Sequence, residues 1–330
     1  MQLTWQKIKL PLKETFSIAY GNYSYRNALI VVLKKSNTTG YGECTEIDYY
    51  QIKIENLIEE LKKIKTIVET QKIVHPLAFY EIISKSSLSA FVCSALDCAY
   101  WDLYGKLEKK SFLELNKIKS DVIPESSITI SVDSLKNQQA KINASSWNNF
   151  KVKCKGLERE TLYLLSQMKK SIAIDSNGSF TKEDCEWLEK QEFISEFVYL
   201  EQPMKVGQYN ILNRLGKANW MADEDFQDSL DLKQLEEHYK SINIKLVKCG
   251  GLTPALKIIT EARKRQYKIM IGCMTESTVG ISAGAVLAPL VDYVDLDGAN
   301  LLASDIAHGS EVIMGKVVLS ECPGLGISIR

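Results

Sequence analysis

The sequence predicts an α/β protein whose larger part is a β/α barrel, and three observations lead there. From about residue 125 onward, eight short apolar runs alternate with amphipathic stretches of helical spacing. Charged residues recur at the ends of these runs, about one strand-helix unit apart. No glycine-rich dinucleotide fingerprint follows any run, which weighs against a Rossmann arrangement.

The chain before this region has another rhythm. "LTWQKIKLPL" and "ALIVVLKK" alternate as strands do, and "YGNYSYRN" between them reads as a loop. "GYGECTEID" continues this antiparallel part. "IENLIEELKKIKTIV" and "SALDCAYWDLYGKL" carry apolar residues three and four apart, the spacing of helices. The eight later runs are "ITISV", "FKVKC", "IAID", "FVYLE", "WMAD", "INIKLVK", "KIMIGCM" and "YVDLD". Helices are expected between them at "RETLYLLSQMKKS", "KEDCEWLEKQ", "GQYNILNRLGK", "SLDLKQLEEHY" and "TPALKIITEARKR".

Composition narrows the function. With 41 Lys+Arg against 41 Asp+Glu the formal net charge is zero, which argues against nucleic acid or an anionic membrane as the main partner. The N-terminus has no apolar signal core, and the apolar stretch "VGISAGAVLAPLV" is too short to span a bilayer. A cytoplasmic protein is expected. The eight cysteines form no CxxC pair and sit mostly in apolar stretches, as buried reduced thiols do. The three histidines, His75, His238 and His308, have no ligand-like spacing.

Barrel enzymes place their chemistry at the C-terminal ends of the strands. The second run ends in Lys151-Val152-Lys153, the third in Asp175, the fourth in Glu201 and the fifth in Asp223; the sixth carries Lys245 and the eighth Asp295 and Asp297. Asp175, Glu201, Asp223 and Lys245 follow one another at spacings of 26, 22 and 22 residues, so they recur at one level of the barrel. Three carboxylates at one mouth repel one another unless a cation neutralises them. Mg²⁺ prefers such oxygen ligands and keeps positions open for substrate. Solvated strand-end acids are the plainer alternative, but three in consecutive units, flanked by lysines, favour the metal.

Residues i and i+2 share a face of a strand, so Lys151 and Lys153 point the same way. A second ammonium and a metal nearby would disfavour protonation and leave Lys153 able to act as a general base. Lys245 lies across the barrel. Two bases on opposite faces of one carbon can remove a proton from one side and return it on the other. Lys248, three residues on, is the alternative to Lys245.

Taken together, "SALDCAYWDLYGK", "FKVKCK", "IAIDSNGSF", "YLEQP", "MADED", "INIKLVKCGGL", "CMTES" and "PGLGI" resemble the enolase superfamily in its muconate-lactonizing subgroup. The resemblance runs over nearly the whole chain. It implies a modified (β/α)7β barrel of the TIM type over 121–304 and an N-terminal α+β capping domain over 1–120, completed by a tail from about 305 to 330. It also implies one Mg²⁺ per site on Asp175, Glu201 and Asp223, and an acid/base pair of Lys153 and Lys245 supported by Lys151. The reaction implied is a 1,1-proton transfer through a metal-stabilised enediolate. Asn177 and Glu224 would be polar support.

Within the subgroup, "DLDG" is similar to the dipeptide epimerases, in which such an acid pair holds the substrate's free ammonium group. Asp295 and Asp297 are expected on one face of the eighth strand, where two carboxylates suit an ammonium. Thr129, Met274, Glu276 and Tyr20 are further substrate-facing candidates. Epimerases of Ala-Glu often carry an arginine in the cap loop; here Tyr20 and Gly21 stand at that place, and Arg26 reads as part of the next strand. A second residue that is apolar or aromatic, rather than Glu, is the reading kept. The alternatives within the subgroup are o-succinylbenzoate synthase and N-acylamino acid racemase. A non-catalytic peptide-binding barrel, or a Schiff-base lyase, leaves the filled acid and lysine positions unexplained. The subgroup often forms homo-oligomers, and the residues do not give a number.

Overall fold

A computed structural model describes residues 1–19 and 21–330. The chain opens with an antiparallel sheet of β1 (Gln2–Ile18), β2 (Gly21–Lys35) and β3 (Thr38–Thr45), in the order β1-β2-β3. The stretch expected to be a loop is instead mostly strand: Gly21 pairs with Ile18, Asn22 with Ser17 and Tyr23 with Phe16. Its aromatic residues find cross-strand partners, such as Lys9 over the Tyr25 ring at 3.9 Å, and these hold an extended hairpin where polarity alone suggested a loop. Tyr20 lies outside the described residues.

Two helices, α1 (Ile54–Thr70) and α3 (Ala90–Glu108), pack on the sheet, and α2 (Pro76–Ile83) between them packs on α3. On α1 the buried residues Leu57, Leu61, Ile64 and Val68 form one stripe. On α3 burial extends round the helix, because it lies between β3 and the barrel. Its approach to β3 is very close. A Cβ on Gly42 would stand 2.0 Å from the Ala95 carbonyl oxygen, so only glycine fits there. A short α4 (Phe112–Asn116), closed by a Ser111–Glu114 capping box, leads to the barrel.

The barrel strands are β4 (Ile128–Ile130), β5 (Asn149–Lys153), β6 (Ser171–Asp175), β7 (Leu200–Glu201), β8 (Trp220–Ala222), β9 (Ser241–Lys245), β10 (Lys268–Gly272) and β11 (Tyr293–Asp295). They run parallel in sequence order, each beside the next. The ring closes outside regular strand: Ser126 bridges Val294, the Ser127 amide donates to Val294 O at 2.9 Å, and the Leu296 amide donates to Ser126 Oγ at 2.9 Å. All eight apolar runs are therefore strands of one nearly closed barrel.

The helices between them are α5 (Leu135–Ala144), α6 (Arg159–Ser166), α7 (Lys182–Leu188), α8 (Asp231–Leu235), α9 (Leu246–Cys249), α10 (Leu252–Lys264) and α11 (Thr278–Ala285). The helix expected between β7 and β8 is reduced to a single 3₁₀ turn, Tyr209–Ile211. Pro203, Gly207 and Gly216 punctuate that segment and leave too few residues for a cooperative helix. Leu215, which would have continued the apolar face, is 91% exposed.

The N-terminal part is bonded to the barrel by buried polar groups. Asp97 of α3 accepts from the Thr253 amide and hydroxyl, both at 2.8 Å. Gly251, with φ of +120°, passes so close that its Cβ would meet Asp97 Oδ2 at 2.6 Å. The chain ends in β12 (Ala307–His308), β13 (Glu311–Ile313), β14 (Lys316–Val318) and β15 (Ser328–Ile329). This tail reaches α3, where the Leu325 amide donates to Asp102 at 2.8 Å and Lys106 to Ile327 O at 2.7 Å. Among the described residues, no helix is long and apolar enough to cross a membrane.

Candidate active site

The parallel register sets the site. Lys153 stands beside Asp175, and Asp175 beside Glu201, each at the last position of its strand. Asp223 follows the last residue of β8, and Lys245 ends β9 beside Gly272. A cavity of about 80 Å³ opens at this end of the barrel. Lys151, Lys153, Lys245, Asp295 and Asp297 line it from the barrel, with Thr129, Asn177 and Met274 beside them. From the N-terminal sheet and the segment after it come Phe16, Ile18, Tyr23, Arg26 and Ile47.

Each lysine is paired with an acid. Lys153 Nζ lies 2.5 Å from Asp175 Oδ2, and Lys245 Nζ lies 2.7 Å from Asp223 Oδ2. Lys151 is bonded to Asp295, with Glu201 Oε2 at 3.4 Å and Asp175 Oδ2 at 3.9 Å. Burial opposes the charge of Lys151, yet Asp295, Glu201 and Asp175 outweigh it and hold its pKa well above the lysine range. Burial acts likewise on Lys245, where Asp223 and Glu201 prevail and raise it. Lys151 thus stays a cation because three carboxylates surround it. Lys248, the alternative to Lys245, points away from the cavity. It donates to Asp223 O at 2.5 Å, Asp223 Oδ1 at 2.6 Å and Phe226 O at 2.8 Å.

Asp175 and Glu201 stand side by side and Asp223 lies two residues beyond Met221, the partner of Glu201, and each carboxylate is drawn to a lysine. No group of three His, Cys, Asp or Glu among the described residues is spaced as a ready-made metal site. The donor set nevertheless fits a hard divalent cation. It is all oxygen, wholly buried, and Glu201 Oε2 and Glu224 Oε2 have no hydrogen-bond partner. Burial, then Asp175 and Asp223, push the Glu201 carboxyl up to about 8, and burial with Asp223 and Asp175 pushes Glu224 up to about 7. Asp223 lies well below the carboxylate range: burial would raise it, but Lys245 and Lys248 overcome that.

Asn177, with a left-handed φ of 44°, links several of these groups. It accepts from Lys153 at 3.2 Å, donates through Nδ2 to Glu224 at 3.1 Å and through its amide to Asp175 at 3.0 Å. Asn243 Nδ2 donates to Glu201 Oε1 at 2.8 Å. That residue was missed from the sequence, although its place two before Lys245 on the same strand face was a usable signal. Ser127 was missed too; its hydroxyl donates to Asp295 Oδ1 at 2.6 Å.

Two expectations change. Asp297 is not on the eighth strand: β11 stops at Asp295, and Asp297, with φ of −83° and ψ of 0°, opens a 3₁₀ turn. It still faces the cavity, and its Oδ2 accepts the Thr129 amide at 2.6 Å. Burial and Asp295 push its carboxyl up to about 6. Glu276 does not line this cavity. It is buried behind it, in a smaller hollow with Glu43, Cys273 and Lys245, because the chain turns into α11 at Ser277 and carries the side chain away.

The segment 135–330 matches the family model described as "Enolase C-terminal domain-like". The chain is similar to the L-Ala-D/L-amino acid epimerase of Maribacter sp., at 36% identity over all of both chains. It is also similar to two solved structures. One is the dipeptide epimerase of Methylococcus capsulatus complexed with Mg and L-Arg-D-Lys, at 25% identity, a TM-score of 0.89 and coverage of 100% and 99% of the two chains. The other is the dipeptide epimerase of Enterococcus faecalis complexed with Mg and L-Leu-L-Tyr, at 25% identity, a TM-score of 0.87 and coverage of 99% of both.

Proposed function

This chain belongs to the dipeptide epimerases of the enolase superfamily, and from that premise we propose that it inverts the α-carbon of the second residue of L-Ala-Xaa dipeptides, using Lys153 and Lys245 as the two bases. One observation carries the mechanism: these lysines end β5 and β9, four strands apart in a ring of eight, and line one cavity from opposite sides. An α-carbon held between them offers its proton to one lysine and can receive a proton from the other.

Asp175, Glu201 and Asp223 would hold Mg²⁺, which when bound would draw off the negative charge that develops on the substrate carboxylate as the α-proton leaves. Lys151, held by Asp295 and kept charged by its acid neighbours, adds a fixed positive charge on the same side. Asp295 is engaged on both oxygens, by Ser127 and Lys151. Asp297 is therefore the acid we assign to the substrate's ammonium group. A substrate with an acylated nitrogen gains nothing from it, which favours the dipeptide reading over an N-acylamino acid racemase.

Phe16, Ile18 and Ile47 form an apolar wall facing the bases, and this supports an apolar or aromatic second residue. Arg26 favours the second reading, an acidic side chain, because it lines the same wall. Its guanidinium stacks over the Tyr23 ring at 4.5 Å, and Nη1 donates to Glu46 O at 3.0 Å.

The deciding experiment is incubation with Mg²⁺ and pooled L-Ala-L-Xaa dipeptides in D₂O, read by mass. A one-unit gain confined to certain dipeptides, abolished by EDTA, is expected. No gain on any dipeptide, together with exchange on N-acylated or amine-free acids, would overturn the dipeptide reading.

A further inference from the structure

A glutamine directly after β7 has an unusual backbone conformation. Gln202 directly follows Glu201 and precedes Pro203, yet its φ is +37°. A non-glycine residue rarely adopts that region, and a residue before proline is normally extended. Gln202 is also 1% exposed. Strain of this kind persists only where surrounding contacts hold it.

Those contacts join the three acid-bearing strands. The Gln202 amide donates to Met221 O at 2.8 Å, and its carbonyl accepts from the Gly178 amide at 2.7 Å and from Ser176 Oγ at 2.9 Å. Its backbone thus ties the end of β7 to β6 on one side and β8 on the other. The side chain uses its full capacity of two donors and two acceptor positions. Oε1 accepts from the Asp223 amide at 3.1 Å and the Asp225 amide at 3.0 Å. Nε2 donates to Met204 O and to Asp225 Oδ2, both at 2.8 Å. Asp225 is held in turn by Tyr239 Oη at 2.7 Å and by the Gly207 amide at 2.7 Å.

We propose that Gln202 is a positioning residue for the metal site: its left-handed backbone aims the side-chain amide across to β8, where it holds the Asp223 backbone and so sets the carboxylate at the level of Asp175 and Glu201. The inference rests on the proposed reading of Asp175, Glu201 and Asp223 as metal ligands. A carboxamide suits the task because it accepts two backbone amides and donates at the same time. A glutamate would accept as well but would set a second carboxylate against Asp225.

The test compares the full-length protein with Gln202→Gly and Gln202→Asn. Glycine accepts φ of +37° without strain, so Gln202→Gly keeps the turn and removes only the side-chain bonds. Mg²⁺ alone is titrated into each metal-free protein by calorimetry, with Asp223→Asn as reference. Hydrogen exchange of the Asp223 and Asp225 amides is followed without metal. The expected result is a Kd for Mg²⁺ raised about tenfold to a hundredfold, the size seen when groups supporting metal ligands are removed. Faster exchange at both amides should accompany it, with a dipeptide KM at saturating Mg²⁺ close to that of the parent. Asparagine also tolerates the left-handed region, so Gln202→Asn carries the same test if the glycine variant does not fold. A Kd for Mg²⁺ within twofold of the parent, or unchanged exchange, would overturn the role of Gln202. A parent that binds no Mg²⁺, or an Asp223→Asn variant that binds it equally well, would instead overturn the metal site itself and the inference with it.

Discussion

Lys245 and Lys248, three residues apart, grip the two oxygens of one carboxylate: Lys245 reaches Asp223 Oδ2 at 2.7 Å and Lys248 reaches Oδ1 at 2.6 Å. Lys245 ends a strand and faces the cavity. Lys248 lies one turn on, in α9, with its other bonds made to backbone carbonyls. The chemistry assigned to the first and the support given by the second follow from that difference.

The two bases should be separable by stereochemistry. Lys153→Ala and Lys245→Ala are each expected to lower epimerisation on the order of 10²–10⁴-fold. Each variant should still exchange the α-proton of one stereoisomer in D₂O, because the opposite lysine remains. NMR of each dipeptide diastereomer measures this. Two single variants with full epimerase activity would rule out the two-base assignment.

Lys248→Met tests the buried support. It leaves the Oδ1 side of Asp223 without its cation in a fully buried setting, and breaking such a pair costs about 3–5 kcal/mol. Urea unfolding monitored by tryptophan fluorescence should show a lower midpoint, equivalent to an unfolding free energy reduced by that amount. A midpoint unchanged from the parent would mean that Lys248 is not a structural counter-ion.

Asp297 sets an expectation for pH. Its carboxyl, pushed up to about 6 by burial and Asp295, must be ionised to hold an ammonium group. The KM for a dipeptide should therefore rise about tenfold per unit as pH falls below about 6, and level off above it. Asp297→Asn should raise the dipeptide KM above about pH 6 to the parent's low-pH level and abolish this dependence, while any N-acylated substrate is affected far less. Equal losses on both substrates would remove Asp297 from ammonium binding.

Asp97, at the join between α3 and α10, makes a separate prediction about stability. Burial pushes its carboxyl up to about 7, against hydrogen bonds from Thr253 that pull it down. The folded state thus binds the proton more tightly than the unfolded chain, whose carboxyl has the ordinary value of 3.8. The contribution of Asp97 to stability must fall as pH rises from about 4 to about 7, and stay level outside that window. Denaturant titrations across this range should show a shallower slope for Asp97→Asn than for the parent. Parallel slopes would mean that Asp97 titrates normally.

Much of the architecture could be read along the chain, because it depends on local pattern. The eight apolar runs are all barrel strands, and the terminal residues Lys153, Asp175 and Glu201 stand side by side in parallel register, whereas Asp223 lies two residues beyond Met221, the partner of Glu201. The helix expected over 207–217 reduces to one turn, and the loop expected over 20–27 is described as strand from Gly21 onward. In the hairpin, cross-strand contacts outweighed local polarity, whereas over 207–217 the local Pro203, Gly207 and Gly216 broke the helix. The site divides along the same line. Residue types and spacing determined which acids and lysines arrive at the barrel mouth. Only the tertiary structure decided that Lys245 faces the cavity and Lys248 does not, that Asp297 leaves the strand, that Glu276 turns behind the site, and that Gln202 reaches across to Asp223. Strand periodicity places a side chain on a face, whereas these outcomes depend on hydrogen bonds between residues far apart in the chain, which no local pattern encodes.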